Sequence, residues 1–263
     1  GIALLGTTGE ANSFNLTERK AIIDAVVDGG INPSDIMAGT GSCAWTETVE
    51  LTQHALEHGI TDVLMLPPFY YKQIDDQGLI AYFDLILQKL GDDRIRIYLY
   101  HFPKMTGVSF SMSLLESLID QYPDQIAGMK DSSGDVDHML EVCRNFPGFR
   151  LFAGTERYLL PVLKAGGAGC ISATANVTIS MMARVLNHWK TEEAEGLQQN
   201  LTAVRSVFDG LPFTAILKQY LYHHTQDPHW QFLRPPNGPV PNRVLEETLE
   251  RLRQLGFRPE LYT

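Results

Sequence analysis

The stretch Ile126-Ala127-Gly128-Met129-Lys130-Asp131-Ser132-Ser133-Gly134-Asp135 decides how the whole chain is read. A short apolar run arrives at a lysine, a Ser-Ser-Gly turn follows, and Asp135–Phe146 then carries apolar residues at helical spacing. A run that is apolar on both alternating faces is the mark of a buried parallel strand. Followed by a turn and a helix, it makes one strand-plus-crossover unit. The same unit recurs on both sides. Apolar runs stand at Ile2–Leu5, Ile36–Gly39, Asp62–Leu66, Arg96–Tyr100, Arg150–Ala153 and Gly169–Ile171. Their starts lie roughly 20 to 35 residues apart, the length of a βα unit. Between them fall helical stretches, among them Thr46–His58, Gly78–Leu90, Ser113–Tyr122 and Arg157–Ala165. Ahead of these, a helix with apolar Ile22, Ile23, Val26 and Val27 opens at Asn15-Leu16-Thr17-Glu18, a capping-box pattern.

Seven βα units without an antiparallel interruption predict either a closed (β/α)8 TIM barrel or a doubly wound sheet. The chain opens on Gly1-Ile2-Ala3-Leu4-Leu5-Gly6, which reads as a buried strand already under way. The expectation is therefore a barrel whose first βα unit precedes Gly1. After about Thr178 the strand signal stops. Ser180–Trp189, Glu192–Asp209, Phe213–His223 and Val244–Leu255 then read as helices. The predicted organisation is α/β: residues 1–178 form the barrel from its second strand onward, and 179–263 a C-terminal helical extension.

The 263 residues carry 31 acidic and 21 basic side chains, a formal charge of −10. Without a Lys/Arg cluster, that balance argues against nucleic acid and anionic membrane as partners. The longest apolar stretch, Ile60–Tyr71, falls well short of a spanning helix. Cys43, Cys143 and Cys170 are too few and too scattered for a disulfide framework or a zinc knuckle. The expectation is a soluble, cytoplasmic protein. Of the eight histidines, none reads as paired at metal-ligand spacing on one strand or helix, and Gly39-Thr40-Gly41 lacks the third glycine of a dinucleotide fingerprint.

In a parallel barrel the catalytic groups stand at the C-terminal ends of strands. Lys130 ends an apolar strand, where an ammonium is costly unless it has a task. A desolvated lysine can attack a carbonyl and form a Schiff base whose iminium accepts electrons. The alternative is a side chain that snorkels to solvent or pairs with Asp131. Tyr100 ends another strand, as a proton relay or as a core aromatic. Gly6-Thr7-Thr8-Gly9 makes a tight turn whose backbone N–H groups suit a carboxylate. Tyr70 and Tyr71 lie on an aromatic loop that covers a pocket or a subunit contact.

Three motifs in register resemble the dihydrodipicolinate synthase/N-acetylneuraminate lyase family: Gly6-Thr7-Thr8-Gly9-Glu10, Tyr100-x-x-Pro103-x-x-Thr106-Gly107, and Gly128-Met129-Lys130-Asp131-Ser132-Ser133-Gly134-Asp135. A fourth segment, Gly169–Val177, is similar to the corresponding family segment. The resemblance implies a TIM barrel and a class I, Schiff-base pyruvate aldolase or lyase without metal or organic cofactor. It implies that Lys130 forms the imine with pyruvate or a 2-keto acid and that Tyr100 relays protons. Thr7 and Thr8, with Gly6, would hold the pyruvate carboxylate, Thr7 also linking the tyrosines. Tyr70 would be contributed across a subunit interface in a homotetramer built as a dimer of dimers. Ile171 would offer its backbone carbonyl, and Thr155 and Glu156 would meet the hydroxyls of longer substrates.

Family synthases carry an arginine two residues after the proline of the tyrosine motif, where it meets a substrate carboxylate. Here that residue is Met105, with Lys72 and Arg157 as the cations that could replace it. The combination favours cleavage of a 2-keto-3-deoxy sugar acid to pyruvate and an aldehyde. Dihydrodipicolinate synthase, a keto-acid dehydratase and N-acetylneuraminate lyase are the enzyme alternatives. The non-enzyme alternative is a catalytically silent barrel that binds a keto acid.

Overall fold

The computed structural model describes residues 1–259, in two compact units. The first, Gly1–Phe152, holds β1 (Ile2–Leu4), α1 (Leu16–Asp28), β2 (Ile36–Gly39), α2 (Trp45–Glu57), β3 (Asp62–Met65) and α3 (Asp76–Leu90). It continues through β4 (Arg96–His101), the short α4 (Pro103–Thr106), α5 (Met112–Gln121), β5 (Ile126–Asp131) and α6 (Val136–Asn145) into β6 (Arg150–Ala153). The strands are neighbours in chain order, and β1 to β5 pair in parallel. The predicted α/β alternation is what the chain forms.

Local chemistry sets the helix starts. Asn15 accepts from the Glu18 N–H while the Glu18 carboxylate accepts from the Asn15 N–H, a complete capping box. Asp75, Ser111 and Asp135 cap α3, α5 and α6 with side-chain oxygens. Each such cap contributes about 1 kcal/mol.

Strand alternation sorts the side chains onto two faces. On β4, Ile97, Leu99 and His101 point one way; Tyr98 and Tyr100 point the other and pack with Leu64, Met37, Leu66 and Phe102. Two glycines make this packing possible. A Cβ at Gly128 would lie 2.8 Å from the Tyr98 ring and 2.3 Å from the Arg150 carbonyl oxygen. One at Gly39 would lie 2.1 Å from the Leu5 carbonyl oxygen, so the end of β2 lies hard against the residue that leads β1 into its turn. Fully burying each Leu, Ile or Phe of this core stabilises it by about 1.5–3 kcal/mol.

The second unit takes the chain from Ala153 onward: β7 (Gly169–Cys170) and helices α7 (Leu159–Lys164), α8 (Ala175–His188), α9 (Ala194–Val207), α10 (Phe213–Thr225) and α11 (Asn242–Gln254). The Ile171 N–H donates to the Ala153 carbonyl at 2.9 Å. Val204, Phe208, Ile216, Tyr220 and Leu252 form the centre of its largest apolar cluster. Helix α8 begins at Ala175, five residues before the predicted Ser180, with Val177 and Thr178 already buried. Among the described residues no helix is long and apolar enough to cross a membrane.

Candidate active site

The first unit brings three predicted residues together. Tyr100 and Lys130 are register partners in the β4–β5 ladder, both on the aromatic face. Lys130 is 8% exposed and Tyr100 3%. The Lys130 Nζ donates to the Tyr100 Oη at 3.1 Å and lies 4.3 Å from the centre of its ring. The Tyr100 Oη is 3.2 Å from the Thr7 Oγ1, completing a run of amine, phenol and hydroxyl. Tyr100 also stacks on Phe102, with centroids 5.8 Å apart, which fixes the ring plane. A buried amine bonded to a proton-transfer group is equipped for carbonyl addition.

The turn after β1 presents Thr7. The Glu10 N–H donates to the Thr7 carbonyl and the Ala11 N–H to the Gly6 carbonyl. Leu5 and Glu10 take left-handed backbone conformations, with φ of 57° and 58°. Such conformations are costly for non-glycine residues and concentrate at functional turns. Thr8 follows Thr7 in this turn, half-buried. Gly6, Thr7, Gly41, Leu66 and Tyr100 line a narrow hollow here together with Arg19.

Sequence reasoning missed Arg19. Its Nη2 donates to the Gly39 carbonyl at 2.7 Å and its Nη1 to that of Gly41 at 3.4 Å. Its Nε is buried without a hydrogen-bond partner. Burial pulls its pKa below the ordinary arginine value, against the attraction of Glu47. One signal was available: Arg19 stands four residues before Ile23, on the buried stripe of α1.

Behind Lys130, on the opposite face of β5, lies a second missed group. The Asp131 Oδ2 is 2.7 Å from the His138 Nδ1, and its Oδ1 accepts from the Ser133 N–H at 2.8 Å. The His101 ring stacks on His138 and accepts the Phe110 N–H at Nδ1. Burial opposes ionisation of Asp131, yet the His138 bond, the His101 charge and the Ser133 bonds hold its pKa below the ordinary value. The Asp131 hydrogen bond raises that of His138 against burial, and burial lowers that of His101. Asp131 therefore serves His138, not Lys130.

The remaining predicted residues each have surroundings of their own. Tyr70 is 74% exposed and packs edge-to-face on Tyr71. Met105 is 62% exposed on α4, whose Thr106 hydroxyl lies 3.1 Å from the Phe102 carbonyl and 3.0 Å from that of Val108. The ammonium of Lys72 is bound by the carbonyls of Phe69 and Thr106, and Arg157 pairs with Asp209 and Ser206. In the second unit Thr155 and Glu156 follow β6. The fully buried Glu156 carboxylate accepts from Ser172, Thr174 and Thr178 and lies 3.3 Å from Arg205. Ile171 is half-buried, just after β7. The histidine expectation needs correction: His54 and His58 stand one helical turn apart on α2.

A sequence profile of the dihydrodipicolinate synthetase family matches residues 1–255. The chain belongs to that family. It is 32% identical to an uncharacterized DapA-like lyase of Chloroflexus aurantiacus, over 96% of this chain and 85% of the relative. It is 31% identical to the 4-hydroxy-tetrahydrodipicolinate synthase of Methanococcoides burtonii, over 96% and 86%. YagE of Escherichia coli K12, named a putative 2-dehydro-3-deoxy-D-gluconate aldolase, is 29% identical over 83% of this chain and 74% of its own length. The crystal structure of YagE in complex with pyruvate superposes with a TM-score of 0.87 at 27% identity, covering 96% of this chain and 86% of YagE. Both the resemblance read from the motifs and the expectation of a lyase stand with these relatives.

Proposed function

We propose that this protein is a Schiff-base-forming aldolase that cleaves a 2-keto-3-deoxy sugar acid to pyruvate and an aldehyde. The observation that carries this reading is the run from the Lys130 amine through the Tyr100 phenol to the Thr7 hydroxyl.

In this reading the Lys130 amine adds to the C2 carbonyl of the keto acid. Tyr100 delivers the proton that lets the C2 oxygen leave as water, and an iminium remains. The C3–C4 bond then breaks with its electron pair drawn toward the iminium nitrogen. The C4 hydroxyl becomes the aldehyde and gives its proton to Tyr100, with Thr7 in hydrogen-bond reach to pass it on. Tyr100 gives that proton to C3 of the enamine, and water then releases pyruvate and the free amine, its surplus proton returning to the phenol. Gly6, Thr7 and Thr8 hold the carboxylate on the turn after β1. The substrate contacts of Thr155 and Glu156 and the backbone carbonyl of Ile171 enter this reading from the family resemblance. So do the closed eight-stranded barrel and the homotetramer with Tyr70 at an interface, while the C-terminal extension and the cytoplasmic location rest on the reading of the sequence itself.

The synthase reading is the second. It is favoured by the Methanococcoides relative and opposed by Met105, which offers no charge to an acceptor carboxylate. Lys72 and Arg157 are engaged as described, so neither stands ready as a substitute. A charge-assisted hydrogen bond contributes about 1.5–3 kcal/mol, so its loss costs roughly tenfold or more in kcat/KM.

Borohydride reduction in the presence of pyruvate tests the chemistry. The expected result is one reduced pyruvyl mass on the peptide containing Lys130; modification elsewhere, or none, sinks the assignment and restores a silent keto-acid binder. Efficient condensation of pyruvate with aspartate semialdehyde, within about tenfold of a neutral polyhydroxy aldehyde, moves the substrate reading to the synthase.

A further inference from the structure

The geometry points to a binding site for one divalent transition-metal cation, formed by Asp24 of α1 with His54 and His58 of α2. The two histidines lie at i and i+4 on one helix face, and both rings turn the same nitrogen toward the same oxygen. The His54 Nε2 is 2.6 Å from the Asp24 Oδ1, and the His58 Nε2 is 2.9 Å from it. The ligand atoms of all three residues fall within 4.8 Å of one another. The rings are tilted by 57° with centroids 4.8 Å apart, so their nitrogens converge without stacking.

Two imidazoles and one carboxylate are a borderline ligand set that suits zinc, cobalt, nickel or copper and disfavours magnesium and calcium. Around zinc, bonds of about 2.0–2.1 Å in tetrahedral array put neighbouring ligand atoms roughly 3.3 Å apart. The present contacts need to open by about 0.4–0.7 Å, a small side-chain adjustment. Binding replaces the two N–H donors at Nε2 and moves each ring proton to Nδ1. The His54 Nδ1 lies 3.9 Å from the Glu57 Oε2, beyond hydrogen-bond distance, so that carboxylate must draw closer to accept the proton's hydrogen bond. The side chains of His54, His58 and Asp24 are 17%, 28% and 43% exposed, which leaves an entry path and an open fourth position for water. A cation held here bridges two successive helices and stabilises the folded chain in proportion to its occupancy.

Calorimetric titration of the whole chain with zinc chloride tests the site, beside His58→Gln and Asp24→Asn. The wild type is expected to saturate at one zinc per chain, with both variants weakened at least roughly tenfold, since even the loss of a group behind a ligand costs about 10–100-fold. Unchanged circular dichroism of the variants separates lost ligation from lost folding, and His54→Gln repeats the test should either one unfold. No saturable binding by the wild type, or equal binding by the variants, overturns the site and leaves an ordinary ion pair between helices.

Discussion

Tyr100 and Lys130 meet because they are partners in a parallel ladder, so the spacing of phenol and amine is set by backbone pairing and not by a loop. Geometry of this kind is held to within a few tenths of an ångström by the strands around it. It also means that the phenol can be altered without moving the amine.

Tyr100→Phe keeps the ring that stacks on Phe102 and removes only the hydroxyl between Lys130 and Thr7. Removal of a general acid–base group is expected to lower kcat by roughly 10²–10⁴-fold. Borohydride trapping of the pyruvate imine should persist at a slower rate. Turnover near the wild-type level would reduce Tyr100 to a packing residue.

Arg19 is expected to hold the backbone after β2 in place. Arg19→Leu deletes its bonds to the Gly39 and Gly41 carbonyls, and hydrogen bonds to a charged group contribute about 1.5–3 kcal/mol each. The weak geometry to Gly41 and the release of a buried, unpartnered Nε offset part of this. A net loss of at least about 1.5 kcal/mol is expected, read as a fall in the urea midpoint. A variant as stable as the wild type would show that the buried charge costs as much as its bonds return.

The Asp131–His138 pair predicts a pH signature. The folded state raises the His138 pKa, so the folded chain binds the proton more tightly than the unfolded one. The stabilisation is complete below the ordinary histidine value and is lost as pH rises through the raised one. His101 has its pKa lowered by burial and acts in the opposite sense, losing stability as pH falls from the ordinary histidine value through the lowered one. Measured from about pH 6 upward, the ordinary histidine range, the stability gap between wild type and His138→Leu should be largest at the acidic end, roughly 1.5–3 kcal/mol. It should shrink toward alkaline pH; a gap that stays constant or widens would refute the charged pair.

The regular part of this architecture was legible because buried parallel strands write themselves as apolar runs: each of the seven predicted runs overlaps a strand. Lys130 stands out in the sequence for the complementary reason, an ammonium at the end of such a run, and the structure buries it against Tyr100. What one sequence could not show was the partner of Asp131. Adjacent strand residues face opposite ways, which turns Asp131 away from Lys130, and His138 reaches it only because Asp135 caps the next helix at the right angle. Arg19 was hidden likewise, since its carbonyl partners lie 20 and 22 residues on, across a crossover. The pair His54 and His58 was readable from spacing alone; Asp24 opposite them required the packing of α1 on α2.

Helix α4 is anchored by the Thr106 side chain and by the Lys72 ammonium on the Thr106 carbonyl. The Thr106 hydroxyl accepts the Val108 N–H and lies against the carbonyls of Phe102 and Val108, tying off the segment from behind while Lys104 and Met105 project into solvent. Replacements at those two positions touch no ladder bond and cost the fold little. Selection is thus free to rewrite the acceptor end of the proposed reaction residue by residue, trading one aldehyde for another, while the strand-borne amine and phenol stay fixed. Substrate range and covalent chemistry become separately heritable traits of one chain.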